Sequence, residues 1–314
     1  MDGVANASML VAAAPALSPA QWAYLAFAVV LIAGAVLVFI RGDWQGARGW
    51  ERLVLFGAVF YVAPLAGFAT EHYSINPQIA AIVPAWMPWH RAVAYFVGAC
   101  FFAAALSFIT HVQTRRAAAL LALVFFVFVA LMDLPGWVQD LHSRFAAALM
   151  LRELSFGAAS LALAAYWTPP GRGQRAAAVV ARYCIGAGVV FYAIEQFLHS
   201  HHVPGIPLKA VMPAGLFGHA VWTYLAAVVY AVGGVLLLAG KRTRAAAAAV
   251  GAMALLTVLV VYIHMAAAPH SGLVGFNYLA DTLMYSGALL MLAMAMPRAG
   301  QAQTTPRPAV PASA

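Results

Sequence analysis

The sequence predicts an all-α integral membrane protein of about nine transmembrane helices: one N-terminal helix, then two parallel-repeat four-helix bundles. Three observations predict it. Hydrophobic residues make up 65% of the chain and charged residues 8%, with a mean hydropathy of +0.87, whereas a soluble domain carries roughly 25% charged residues. Displaced by 129 residues, the chain matches itself without a gap. Its basic residues fall on alternate connections between apolar stretches.

Taken in order, the apolar stretches lie at about 21–40, 53–71, 91–110, 116–134, 149–167, 180–198, 219–239, 245–264 and 277–296. Each is close to the roughly 20 residues that cross a bilayer as a helix. The first lies outside the repeat, and the other eight divide into four and four. Gly57 lands on Gly186, Phe68 on Phe197, His72 on His201, Pro84 on Pro213, His90 on His219, Tyr95 on Tyr224, and Thr114-Arg115 on Thr243-Arg244. A period of this length describes architecture. An even number of spans per copy makes both copies enter the membrane from one side, so they are parallel repeats about an axis along the membrane normal. The organisation expected is a segment 1–50 with the first helix, repeat one over 51–170, repeat two over 180–297, and a disordered cytoplasmic tail over 298–314. The N-terminal stretch lacks the basic region of a cleaved signal peptide, so the first helix is expected to remain.

Orientation follows from the cations, since Lys and Arg beside spans stay on the cytoplasmic side. Arg41, Arg48, Arg52, Arg115, Arg116, Arg172, Arg175, Arg182, Lys241, Arg242, Arg244, Arg298 and Arg307 share one side, 13 of the 17 basic residues. This places the N-terminus outside and the C-terminus in the cytoplasm of a bacterial inner membrane. The net charge of +8 is then topological and implies no nucleic-acid partner. Cys100 and Cys184 form no CxxC and read as small packing residues.

Nine of the ten histidines and seven of the nine acidic residues fall on the outer side. Ionisable groups inside a span are costly and raise a functional hypothesis. The end of the sixth span, EQFLHSHH, sets Glu195, His199 and His202 on one stripe if the helix continues, a set of ligands suiting a transition metal. The plainer reading is a polar helix end among headgroups. His72 and His90, and again His201 and His219, stand on either side of a proline-rich loop (Pro77, Pro84, Pro88; Pro204, Pro207, Pro213). Facing imidazoles could bind a metal, ligate haem axially, or hydrogen-bond a quinone head group. Otherwise they mark helix ends that were duplicated together. Asp133, Glu153, His264 and Asp281 form a third set that differs between copies, with ion pairing such as Arg152 to Glu153 the favoured explanation.

The EHY helix end, the loop VPAWMPWH and the TRR turn of copy one resemble the DoxX-like membrane family. Copy two is similar through GVVFYAIEQFLHSHHVPG, MPAGLFGHAVWTY and DTLMYSGALLMLA. The resemblance covers roughly 52–297. It implies four-helix bundles and a role in quinone-linked membrane redox systems, with quinone or a redox protein as partner beside the lipid bilayer, and it assigns no catalytic residue. The expectation is a redox subunit with a histidine-rich outer site. A transporter with parallel repeats is the alternative, which requires charged or unwound positions near mid-membrane, and a non-catalytic scaffold is the third reading. Of the two copies, the second carries the more promising set of side chains.

Overall fold

A computed structural model describes residues 17–202 and 219–298, with the side chains of 219 and 220 excepted. The segments 1–16, 203–218 and 299–314 lie outside the described residues. With them go the expected tail and the second proline-rich loop.

Among the described residues the chain is helical without strands. Nine helices among the described residues are long and apolar enough to span a membrane, as the hydropathy predicts. They are α1 (Pro19–Ile40), α2 (Glu51–Ser74), α3 (His90–Thr110), α4 (Thr114–Gln139), α5 (Arg144–Tyr166), α6 (Arg172–Leu198), α7 (His219–Leu238), α8 (Thr243–Ala267) and α9 (Gly272–Ala295). This is an all-α, multi-pass membrane protein. Helices are the economical solution because no water is available in lipid to satisfy a free backbone N–H or C=O. Several extend beyond the apolar cores read from sequence. α5, α6 and α9 begin earlier than expected because helical hydrogen bonding continues through their polar first turns, where hydropathy falls but nothing breaks the helix.

Local signals set the ends. Ser18 and Gln21 form a capping box before α1: the Gln21 amide donates to Ser18 Oγ at 3.3 Å, and the Ser18 amide donates to Gln21 Oε1 at 2.8 Å. Pro19 occupies the first turn, where its missing N–H costs nothing. Ser143 caps α5, accepting from the Ala146 amide at 3.3 Å.

The two copies agree at fine detail. α4 and α8 each pass through one π-helical turn, at Val129–Asp133 and Val258–Tyr262, which superpose under the 129-residue shift. The tight α3–α4 turn uses left-handed residues His111 (φ 62°) and Gln113 (φ 56°), and the α7–α8 turn uses Gly240 (φ 70°) and Arg242 (φ 48°) at the same positions.

Neighbours in sequence pack against one another from α2 to α9, and α9 returns to pack on α2. The eight repeat helices therefore close into a ring, pinched at the middle where α5 touches α9. These two are the fourth helices of their copies. In copy one, α2 leans on α9 of the other copy, and by the same rule α6 leans on α5. At the α2–α9 seam the helices come so close that a Cβ on Gly287 would collide with the Tyr61 amide nitrogen. Small residues permit this approach, the usual basis of helix association in lipid. The Tyr61 hydroxyl bridges α2 to α5, donating to the Phe156 carbonyl at 2.8 Å with Ser160 Oγ at 3.0 Å. α1 lies outside the ring against α2, α3 and α9. α9 is almost wholly buried, whereas α1 has few fully buried residues.

Candidate functional site

Arg152 of α5 and Asp281 of α9 are 129 residues apart, so they occupy the same position in the two copies. They meet where α5 touches α9, at the centre of the ring. Arg152 Nη1 donates to Asp281 Oδ2 at 2.6 Å, and Arg152 Nη2 donates to Glu153 Oε1 at 3.0 Å. Arg152 lies eight residues after Arg144, and Asp281 nine after Gly272. At 1.5 Å per residue each sits about 12–14 Å from the start of its helix.

Two further carboxyls lie nearby. Glu71, buried near the end of α2, faces Asn277 and Asp281 across the α2–α9 seam, and its Oε1 has no hydrogen-bond partner. Asp133 closes the π-helical turn of α4, close to Glu153 and Arg152, with Oδ2 unpartnered. The cluster therefore contains four carboxyls and one guanidinium, drawn from α2, α4, α5 and α9. Buried tyrosines adjoin it. The Tyr192 hydroxyl donates to the Ala148 carbonyl at 2.7 Å, Tyr192 and Tyr285 meet edge to face at 5.6 Å, and the Tyr262 ring stacks on Tyr278 at 6.2 Å.

A second, smaller polar contact lies at the seam between α5 and α6. Arg144 donates to Glu195 Oε2 from Nε at 2.6 Å, with Nη2 at 2.5 Å. His199 Nε2 is 3.8 Å from the same oxygen. The proposed stripe Glu195–His199–His202 does not form along a helix, because α6 ends at Leu198 and His199 adopts a non-helical backbone (φ −131°, ψ 56°). The chain turns there, and the His202 amide donates to the His199 carbonyl at 3.0 Å. The His199 and His202 rings are 6.1 Å apart. Among the described residues, no group of three or more His, Cys, Asp or Glu is placed to hold a metal.

Of the paired histidines, only His72 and His90 are both described with their side chains. His72 Nδ1–H donates to the Phe68 carbonyl one turn back at 2.8 Å, and its ring meets Phe101 edge to face at 5.2 Å. His90 opens α3, and His201 is exposed in the turn after α6. No hydrogen bond or ring contact among the described residues joins His72 to His90. The His219 side chain lies outside the described residues. Cys100 and Cys184 are unpaired.

The ion pair expected between Arg152 and Glu153 is present. What sequence reasoning missed is the partner across the copies and the depth of the set. The apolar stretches begin at about 149 and 277, which puts Arg152 and Asp281 just inside span ends, yet α5 and α9 begin at Arg144 and Gly272 and set both further along their helices. The signal was available: Arg152 aligns with Asp281 under the repeat, and equivalent residues on the axis of two parallel copies come together. The polar site also belongs to neither copy alone, since its side chains come from both.

No family model matches the chain, and neither the curated proteins nor the solved structures contain a match.

Proposed function

We propose that this is a proton-coupled transport protein of the bacterial inner membrane, with its N-terminus outside and its C-terminus in the cytoplasm. One observation carries the reading: at the meeting point of the two repeats Arg152 pairs with Glu153 and Asp281, and two further carboxyls, Glu71 and Asp133, stand close by with no ion pair among the described residues. Three uncompensated negative charges in that position would cost far more than taking up protons. Charge balance therefore makes the cluster a store of exchangeable protons. Ionisable groups at the junction of internal repeats also suit alternating access, in which one repeat rocks against the other around a fixed site. The π-helical turns in α4 and α8 add a local irregularity of the sort often found at functional positions. The orientation is supported by the basic residues on alternate connections.

A second reading keeps one specific support. The sequence resembles the DoxX-like family, which points to quinone-linked redox chemistry, and quinone reduction consumes protons that such a cluster could deliver. In that reading the outer histidines His72, His90, His201 and His219, or Glu195, His199 and His202, hold the quinone, haem or metal.

Protein reconstituted in liposomes on a solid-supported membrane discriminates the two. A pH jump is expected to give a transient proton current that Asp281→Asn removes. A protein that instead carries a visible cofactor spectrum responding to quinol, and gives no such current, belongs to the redox reading.

A further inference from the structure

The opposite end of the molecule holds a cleft of about 1060 Å³, between the arginine-rich ends of α1, α2, α3, α5, α6 and α9. Its floor is apolar, formed by Val38, Val59, Phe108 and Leu163, among others. Its rim carries Arg41, Arg175, Arg182, Arg244 and Arg298 against Asp43 and Glu51. Five guanidiniums against two carboxylates leave an excess of positive charge.

These arginines are not equivalent. Arg244 is held by Glu51, with Nε to Oε1 at 2.9 Å and Nη2 to Oε2 at 2.5 Å, and it also donates to the carbonyl of Ala293 near the end of α9. Arg298 lies 3.7 Å from the same glutamate. Arg182 donates to the Leu237 carbonyl at 2.5 Å and lies over the Tyr183 ring. Arg244 and Arg182 close helix ends, where cations oppose the negative pole of the helix. Arg41 uses only Nη2, on the Ile109 carbonyl, and has no carboxylate within ion-pairing distance among the described residues. The Arg175 side chain is exposed and has no hydrogen-bond or ion-pair partner among them. Glu51 is committed to Arg244 and Arg298, and Asp43 is within ion-pairing distance of neither Arg41 nor Arg175, so these two guanidiniums face the cleft without a paired anion.

We infer that this cleft is a binding site for a phosphate oxyanion carried on an amphiphile, with the headgroup between Arg41 and Arg175 and the apolar part on the part-exposed Leu55, Ala58 and Ile109, which lie with the buried Val59, Phe108 and Leu163 in the cleft lining. A guanidinium matches phosphate in geometry as well as charge. The apolar floor gives an acyl chain a place that a free phosphate ester would leave empty. The site is independent of the proton-binding cluster at the other end.

The test is native mass spectrometry of the full chain in detergent, with phosphatidylglycerol, phosphatidylcholine or inorganic phosphate added. Phosphatidylglycerol is expected to stay bound where phosphatidylcholine does not. A cationic side chain near an anionic lipid contributes enough for about a fivefold change in retention. Arg175→Gln, which removes no contact of the fold, is expected to show that loss, and Arg41→Gln with Arg175→Gln a larger one. Arg116→Gln, at an exposed position outside the cleft, leaves retention unchanged. Displacement by millimolar inorganic phosphate would assign the site to free phosphate esters, and resistance to it would assign the site to the lipid. Equal retention of both lipids, or equal losses from Arg116→Gln and Arg175→Gln, overturns the proposal.

Discussion

The α2–α9 and α5–α6 seams are equivalent under the repeat, but they handle buried charge in opposite ways. At α5–α6, Glu195 is matched by Arg144. Their counterparts at α2–α9 are Ala66 and Leu273, so that ion pair is absent there. In its place, Glu71 stands beside Asn277, and the equivalent positions at α5–α6 are Ser200 and Ala148. One seam holds a balanced pair and the other holds a carboxyl without a cation of its own. The backbone has been kept through duplication, down to the π-helical turns, while the polar side chains have diverged. A balanced pair is a fastening. A buried carboxyl backed only by an amide is the kind of group that can gain and lose a proton, and under the proposed function the α2–α9 side would be the working half.

The largest effect that would break this comparison comes from the residue on which both halves depend. Arg152→Met leaves Asp281 and Glu153 facing each other without a cation. By analogy with broken buried pairs, it should destabilise the protein by about 3–5 kcal/mol, as read from thermal unfolding in detergent. Adding Asp281→Asn to that variant should recover part of the loss.

The seams also differ in how closely they pack. Gly287 of α9 meets the backbone of Tyr61 and Gly57, and its equivalent on α5 is Ala158, which already carries a Cβ. Gly287→Ala is expected to cost about 1–3 kcal/mol through overpacking, measured in the same unfolding assay. An unchanged unfolding temperature would show that α2 and α9 stand further apart than described.

Arg144→Gln probes the balanced seam. The Arg144 side chain is 37% exposed, so screening reduces the value of its pair with Glu195, and a loss of about 0.5–1 kcal/mol is expected. The contrast with Arg152→Met is the informative quantity. If the two cost the same, position at the centre of the ring confers nothing special.

The smallest effect concerns the turns. Gln113 is exposed and held in the left-handed region at φ 56°. Gln113→Gly should stabilise by roughly 0.5–1 kcal/mol by removing that conformational cost. It is a check on the shared turn geometry and should leave the Arg152–Asp281 cluster unaffected.

The spans were legible because apolar stretches of bilayer length have few alternative explanations, and the repeat was legible because no gap interrupts it. The site was legible only in composition. Glu71, Asp133, Glu153 and Asp281 could be named as costly residues, but hydropathy has no third dimension and gave no means of bringing them together. The histidines drew attention through their spacing. Equal spacing in two copies follows from duplication alone, and His72 is in fact bonded to its own helix. The Glu195–His199–His202 stripe failed for a different reason: where α6 ends is decided by local backbone geometry that an i, i+4 pattern cannot foresee.

The central claim, that Glu71 and Asp281 bind protons reversibly whereas Glu195 is fixed in its ion pair, is tested most directly by infrared difference spectroscopy across a pH titration. A band from a protonated carboxyl C=O is expected to rise and fall with pH. It should be diminished in Glu71→Gln and in Asp281→Asn, and retained in Glu195→Gln. A wild-type protein without that band at any pH, or a band lost only in Glu195→Gln, would contradict the account.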